Sequence, residues 1–178
     1  MNGADEPNRE QLYRWWWSHD AAWYQAVKRK FGAEVANELN REAMRQVAQR
    51  VGEYVRKRLR KPIAELAWAE VVDAFETCPA LMWPPGMVEF DYAPTGPGEF
   101  EVNVRQNFAL AMLRRAGSLD TYDCACLEMR AGWFAGIGLD PADDRIEQCL
   151  AKGGTACTFR ARVRGYDDTT TAISGVEK

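Results

Sequence analysis

The stretch from residue 145 to 163, RIEQCLAKGGTACTFRARV, decides the fold class. From position 157 onward, apolar residues alternate with polar or basic ones, which is the period of a β-strand with one apolar face. The turn-forming residues Lys152-Gly153-Gly154 lie just before that strand. The stretch therefore predicts a β-hairpin.

A second hairpin is predicted upstream. The segments MVEFDYA (87–93) and EFEVNVR (99–105) both alternate, and a Gly/Pro-rich turn separates them. Helical patterns precede the two hairpins and lie between them. The predicted helices span about 9–31, 33–60, 62–76, 106–116 and 121–136. Helices followed by hairpins mixed with helices predict an α+β fold, in which N-terminal helices pack on an antiparallel sheet.

Glycine and proline set the predicted helix boundaries. Gly32 suits the end of the first helix, and Pro62 suits the first turn of the third. The proline-rich segment CPALMWPPG (78–86) is expected to break any helix. Asp120 is expected to cap the last helix. The second helix carries an apolar stripe that we expect to be buried, namely Val35, Leu39, Ala43, Val47, Val51 and Tyr54.

Length and composition indicate one ordinary globular domain. The chain has 178 residues, 47% of them hydrophobic, and a net charge of −3. We expect a polar leader at 1–8, a single domain at 9–164 and a flexible tail at 165–178. The near-neutral charge gives no reason to expect nucleic-acid binding. Without an apolar span or a signal peptide, no membrane partner is expected and a cytoplasmic location is predicted.

The only histidine follows three consecutive tryptophans, in the string WWWSHD at 15–20. On a helical wheel, Trp16, His19 and Trp23 fall on one apolar side, with Trp15 and Asp20 at its edges. This pattern predicts that His19 faces the interior.

Two interpretations of His19 stay open. It is either a core histidine satisfied by one hydrogen bond or a general base at the floor of an aromatic pocket. In the second case Asp20 and Asn40 are its candidate polar partners in catalysis. Trp15, Trp16, Trp23 and Trp133 are the candidate substrate-binding residues.

The cysteines form a candidate metal site. If the hairpin loop has three residues, Cys149 and Cys157 lie directly opposite each other, with Cβ atoms about 4.5–5.5 Å apart. Cys124 or Cys126 could add a further thiolate, and Glu147 is the nearest carboxylate. Zinc accepts such a ligand set. The alternative is that these cysteines are small buried hydrophobic residues.

The opening block, WWSHDAAWYQAVKRKFGAEVANELNREAMRQVAQR, resembles small bacterial and archaeal proteins that begin WW-x-HD-x-x-W. That group is similar to the L-2-amino-thiazoline-4-carboxylic acid hydrolase-like family. The resemblance implies an enzyme that opens a small ring containing sulfur and nitrogen.

The closing block, from Cys124 to Val163, resembles the C-terminal half of the 4-vinyl-reductase-like small-molecule-binding domain. Cys149, Cys157 and Phe159 match its E-x3-C-x7-C-x-F pattern, whereas Arg145 stands where that pattern has glutamate. In aromatic-sensing members of that group, the cysteines and the glutamate hold zinc. Both resemblances imply that the helices and the sheet enclose a small-molecule cavity.

Two functions follow as expectations. The first is a hydrolase-like enzyme that acts on a small heterocyclic or amide-like molecule, with zinc as a candidate cofactor. The second is a non-catalytic small-molecule-binding module with a structural zinc. No nucleotide cofactor is expected, because the sequence has no phosphate-binding loop. A homodimer is a candidate assembly.

Overall fold

A computed structural model describes residues 8–166. Within them lie five α-helices, four β-strands and three short 3-10 helices. The expected leader (1–8) and tail (165–178) fall almost wholly outside the described residues. The helices are α1 Arg9–Phe31, α2 Ala33–Arg56, α3 Trp68–Met82, α4 Phe108–Arg115 and α5 Cys126–Ile137. The strands are β1 Val88–Gly96, β2 Glu99–Asn107, β3 Pro141–Gln148 and β4 Cys157–Val163.

The strands form one open antiparallel sheet in the order β1-β2-β4-β3. Both predicted hairpins are present, because β1 pairs with β2 and β3 pairs with β4. In the first hairpin, Phe90 lies opposite Val104 and Tyr92 lies opposite Val102, as the alternation predicts. These pairings place the apolar face of each strand on the same side of the sheet.

Helix α3 and helix α5 cover the apolar face of the sheet. Phe75 of α3 is fully buried, and its ring lies 5.1 Å from that of Phe100 on β2 and 4.5 Å from that of Phe134 on α5. Such clustered rings supply a large share of core burial in a domain of this size. The core therefore lies between the sheet and these two helices.

Helix α2 packs on the outer side of α5 through glycine. A methyl group added at Gly52 would lie 2.8 Å from the Trp133 carbonyl oxygen and 2.9 Å from the Gly136 Cα atom. Only glycine allows two backbones to approach so closely. Gly52 of α2 and Gly136 of α5 thus allow the two helices to pack closely, and α2 forms an additional layer outside the core.

Several predicted helix boundaries are wrong. The second helix ends at Arg56 rather than near residue 60, and the third runs Trp68–Met82 after a 3-10 turn at Ile63–Glu65. Pro79 lies inside that helix and does not break it. The helix ends three residues later, so Pro79 disturbs only its last turn. The last helix starts at Cys126, because residues 119–121, including Asp120, form a 3-10 turn instead of a cap.

The orientation predicted for the first two helices is also wrong. Helix α1 buries the side that carries Tyr13, Trp17 and Tyr24, so Trp16 and His19 face outward. Its inward aromatic residues have polar atoms that find partners: Tyr13 Oη donates to the Leu81 carbonyl at 3.0 Å. Most of the predicted stripe of α2 is likewise exposed. Its buried side carries small or polar residues, namely Ala36, Asn37, Asn40, Ala48, Gly52 and Val55.

The α+β class is confirmed, with helices packed on an antiparallel sheet of two hairpins. That this arrangement encloses a small-molecule cavity stays a prediction. Among the described residues, no helix combines the length and apolar character needed to cross a bilayer.

Candidate functional site

A pocket of about 80 Å³ lies among α1, α2, α4 and α5. Its walls are mostly apolar and aromatic, as is typical of small-molecule sites. The lining side chains with polar atoms are Trp17, Asp20, Tyr24, Asn40, Trp83, Asn107, Tyr122 and Cys126, and the apolar ones include Met44, Phe108, Met112, Leu113 and Met129. We call this the helical pocket.

Among the described residues, Asp20 is the only carboxylate that lines the helical pocket. Its side chain is half-buried, and among residues 8–166 no group donates a hydrogen bond to it. Burial raises the pKa of this carboxyl above its ordinary value, and the nearby His19 opposes the shift. A partly buried carboxylate without a hydrogen-bond donor is a candidate functional residue. Burying such a group without a hydrogen bond to compensate for lost water costs stability.

Amide and phenol groups face the same pocket. Asn40 Nδ2 lies 3.4 Å from the Tyr122 hydroxyl, and burial raises the pKa of Tyr122, so its hydroxyl stays protonated near neutral pH. Asn107 Oδ1 accepts a hydrogen bond from the Leu110 amide at the start of α4, and its Nδ2 atom remains available to a ligand. The pocket thus combines one carboxylate with neutral hydrogen-bonding groups.

A second, smaller pocket of about 30 Å³ lies between the sheet and α3 and α5. We call it the sheet pocket. It shares four lining residues with the helical pocket: Trp83, Asn107, Cys126 and Met129. Methionine side chains are flexible and adapt readily to neighbouring groups. The two pockets are therefore neighbours.

Trp133 lines the sheet pocket and is 3% exposed, yet its Nε1 has no hydrogen-bond partner within the described part of the chain. A buried indole N–H normally finds an acceptor. Trp68 Nε1 is the other buried side-chain atom in this condition, but Trp68 lines neither pocket. The Trp133 N–H is thus a donor available to a ligand.

Arg130, which lines the sheet pocket, takes part in a buried ion pair. Arg130 is 2% exposed, and its Nε and Nη2 atoms bind Asp144 of β3 at 2.8 Å and 2.5 Å. Burial raises the pKa of Asp144, and the adjacent guanidinium opposes that effect. Because Asp144 neutralises Arg130, the pocket gains no net positive charge from this arginine.

Four thiols lie in a row beside the two pockets. Cys124 Sγ is 3.0 Å from Cys126 Sγ, and its side chain also hydrogen-bonds with Cys149, which in turn contacts Cys157. The hydrogen bond to Cys126 raises the pKa of Cys124, the hydrogen bond to Cys124 raises that of Cys149, and burial raises that of Cys157 to about 11. These three groups are therefore neutral thiols near pH 7.

The thiols do not surround a common point in this arrangement. Among the described residues, no group of three or more His, Cys, Asp and Glu side chains is positioned to hold a metal ion. Glu147, the predicted carboxylate ligand, pairs instead with Arg145 and Arg160 on the outer face of the sheet. The residues thus do not fit a zinc site as arranged here, and a bound zinc stays a prediction.

The predicted site residues separate into two groups. Asp20 and Asn40 line the helical pocket, Trp133 lines the sheet pocket, and Cys126 lines both. The side chains of Trp15, Trp16, His19 and Trp23 are exposed, and His19 stacks on Trp16 at 5.4 Å. The expectation that His19 faces the interior is wrong, because α1 buries the neighbouring side of the helix.

Sequence reasoning missed several pocket residues. Trp17 stacks on Trp83 at 5.5 Å and forms part of the wall, although it lies outside the helix side that carries Trp16, His19 and Trp23. Asn107 lies at the junction of β2 and α4, where both pockets meet. A second possible stripe on α1, at positions 13, 17, 20 and 24, was the signal that could have identified Trp17.

Comparison with known proteins places this arrangement in a family. The sequence model of the L-2-amino-thiazoline-4-carboxylic acid hydrolase family matches residues 15–161. No curated protein matches the sequence. The resemblance of the closing block to the 4-vinyl-reductase-like domain remains a prediction.

One solved structure with a similar fold is the crystal structure of the phenol-responsive sensory domain of the transcription activator PoxR with phenol. The TM-score is 0.60 at 13% sequence identity, and the match covers 83% of this chain and 74% of that chain. At such low identity the likeness concerns the fold alone. Because the family match spans most of the chain and every residue of both pockets, this protein belongs to the L-2-amino-thiazoline-4-carboxylic acid hydrolase family.

Proposed function

We propose that this protein is a hydrolase of a small heterocyclic molecule and that the reaction takes place in the helical pocket. The observation that carries the proposal is Asp20, a carboxylate in a mostly apolar wall that has no hydrogen-bonding partner within residues 8–166 and whose pKa is raised by burial. A general base works best when its pKa is moved toward the working pH. Family membership supports the same reaction class.

In the proposed reaction, Asp20 removes a proton from a water molecule as its oxygen attacks the electrophilic ring carbon. The bond from that carbon to a ring heteroatom then breaks, and the same proton passes from Asp20 to the leaving heteroatom. One water molecule is consumed, and nothing is oxidised or reduced. No metal takes part in these steps.

Neutral donors near Asp20 suit the negative charge that develops on the attacked group. The amide nitrogen of Asn107 is available, and the Tyr122 hydroxyl remains protonated at neutral pH. Preorganised donors in a site with little water stabilise such charge strongly. We assign these two side chains to substrate orientation and charge stabilisation.

The pocket dimensions favour a small substrate. The helical and sheet pockets measure about 80 and 30 Å³, and Met129 and Trp83 line both of them. A substrate in the helical pocket that displaces Met129 would bring an acceptor atom toward the Trp133 N–H. The proposed substrate is therefore a compact planar ring with at least one hydrogen-bond acceptor.

The test uses L-2-amino-thiazoline-4-carboxylic acid, the compound in the family name. Purified wild-type protein is expected to convert it to a product heavier by one water molecule, detected by mass spectrometry. Asp20→Asn is expected to lower kcat by about 10²–10⁴-fold, the usual contribution of a general base. Asp73→Asn, an exposed aspartate on α3, serves as the matched control and keeps wild-type activity. Equal activity of the two variants would remove Asp20 from the mechanism.

A non-catalytic binding module is the second candidate. It is favoured by the available Trp133 N–H and by the shared fold with a sensory domain that was crystallised with phenol. Binding of phenol or of the thiazoline acid without any turnover by the wild-type protein would support this candidate over the hydrolase.

The remaining expectations from the sequence are not part of the proposed function and stay predictions. A catalytic role for His19 is tested by His19→Ala, which should retain turnover if Asp20 is the base. Zinc is tested by metal analysis of the purified protein. Cytoplasmic location and a homodimer are likewise untested.

A further inference from the structure

The hairpin of α1 and α2 exposes far more apolar surface than the rest of the described chain. Trp16 is 69% exposed, Trp15 is 59% exposed and Trp23 is 41% exposed. We define the apolar hairpin face as nine exposed side chains on these helices: Leu12, Trp15, Trp16, Trp23, Phe31, Val35, Leu39, Val47 and Tyr54. Among the described residues, Leu127 is the one other large hydrophobic residue with comparable exposure.

These residues lie at helical spacing and not at random. On α1, positions 12, 16, 19 and 23 share one side, and no Lys, Arg, Asp or Glu occupies these positions. On α2, positions 35, 39, 47 and 54 share one side in the same way. Each helix therefore carries an apolar side that is exposed in the described chain, in addition to the side that packs against the molecule.

The size of the face matches a stable protein interface. With a full tryptophan surface of about 250 Å², the three indoles alone expose roughly 400 Å². The other six side chains raise the exposed area to the order of 800 Å². A monomer rarely shows an apolar patch above a few hundred Å², whereas a standard interface buries about 800 Å² per partner.

The charges beside the face are complementary between the two helices. Beside the face, α1 exposes the basic Lys30 over the Phe31 ring, whereas the first half of α2 exposes Glu34, Glu38 and Glu42. In a two-fold arrangement, α1 of one copy can lie against α2 of the other and pair these opposite charges. The same three glutamates would repel an anionic membrane surface.

We infer that the apolar hairpin face binds a second copy of this chain and forms a two-fold symmetric homodimer. The exposed indole of Trp16, stacked on the His19 ring, lies near the middle of α1 and would be a main contact. This inference does not depend on the proposed hydrolase function, because neither Trp16 nor His19 lines a pocket.

Sedimentation velocity and light scattering of the full chain test the inference. Wild-type protein is expected to be a dimer, and Trp16→Glu and Trp23→Glu are each expected to weaken dimerisation more than about tenfold. Leu127→Glu makes the same change on α5, outside the apolar hairpin face, and should leave the dimer intact. Because all three side chains are exposed, the variants should keep the wild-type circular dichroism spectrum.

Three results would overturn the inference. The first is a wild-type protein that stays monomeric at about 100 μM. The second is a dimer that neither tryptophan variant weakens. The third is a monomer that sediments with phosphatidylserine-containing vesicles through these tryptophans, which would make the face a membrane-binding surface.

Discussion

Asp20 links the proposed chemistry to a measurable effect on stability. Burial raises its pKa in the folded protein above the ordinary value of 3.8, so the folded state binds this proton more tightly than the unfolded state. The resulting contribution favours folding at low pH and is lost as the pH rises through the raised pKa. The carboxylate is therefore retained at a cost in stability, as is common at active sites.

Replacing Asp20 by asparagine should remove this contribution. We expect the free energy of unfolding of Asp20→Asn, relative to wild type, to increase as the pH rises from about 4 toward 7. Urea unfolding at several pH values measures this difference. Asp144, whose pKa is also raised by burial, is present in both proteins and cancels. A difference that is constant with pH would mean that the pKa of Asp20 is not raised.

Trp133 and Trp68 form a matched pair for ligand binding. Both indole N–H groups are buried without a partner in the described chain, but only Trp133 lines a pocket. In the Asp20→Asn background, Trp133→Phe should weaken binding of the thiazoline acid by about 0.5–1.5 kcal/mol, or roughly 2- to 12-fold. Trp68→Phe should leave the affinity unchanged. Isothermal titration calorimetry measures both, and equal affinities would exclude the Trp133 N–H as a ligand donor.

At the scale of single residues, the sequence predicted which residues belong to the site better than it predicted which way their side chains face. The string WWWSHD contains two pocket residues, Trp17 and Asp20, but His19 is not one of them. Two apolar stripes run along α1, and the hydrophobic pattern cannot tell which one meets the core. The inward side is fixed by distant partners such as the Leu81 carbonyl, which no local pattern contains.

At the scale of elements, the packing of α2 on α5 depends on the absence of a side chain at Gly52. Gly52→Ala should destabilise the protein by about 1–3 kcal/mol, because the added methyl group would meet the backbone of α5. This cost should appear although alanine is the better helix former. Thermal unfolding measures it. Ala22→Leu, on the exposed side of α1, is the control and should change stability little.

The pair of Arg130 and Asp144 joins α5 to the edge strand β3. Asp144→Ala should destabilise the protein by about 3–5 kcal/mol, because it leaves a buried arginine without its counter-charge. Asp143→Ala removes the neighbouring carboxylate, which pairs with Arg145 near the surface, and should cost less than about 1 kcal/mol. Denaturant unfolding compares them. Equal effects would show that the Arg130 pair is not essential to stability.

The alternation of apolar and polar residues predicted both hairpins. It also predicted which face of β1 and β2 packs on the core, because a one-residue shift would turn the apolar side of a strand toward water. The helix ends were predicted less well. Pro79 lies inside α3, and the cap expected at Asp120 is replaced by a 3-10 turn. Tertiary packing accounts for the first feature, since the buried core residues Phe75 and Cys78 hold α3 helical beyond its local preference.

For the whole molecule, the helical pocket and the apolar hairpin face lie on different sides of α1. Helix α1 contributes Trp17 and Asp20 to the helical pocket and Trp16 and Trp23 to the apolar hairpin face. One amphipathic pattern thus serves both a pocket wall and a proposed interface. This explains why the sequence alone indicated an aromatic site on α1 but placed it on the wrong side of the helix.

The central claim is that a small heterocycle is bound and hydrolysed in the helical pocket beside Asp20. A crystal structure of the Asp20→Asn variant with L-2-amino-thiazoline-4-carboxylic acid tests it most directly, because this variant should bind the compound without converting it. We expect the ring between α1 and α4, with its electrophilic carbon within reach of position 20 and polar contacts to Asn107 or Tyr122. Ligand bound elsewhere, or a helical pocket that stays empty at saturating ligand, would contradict the account.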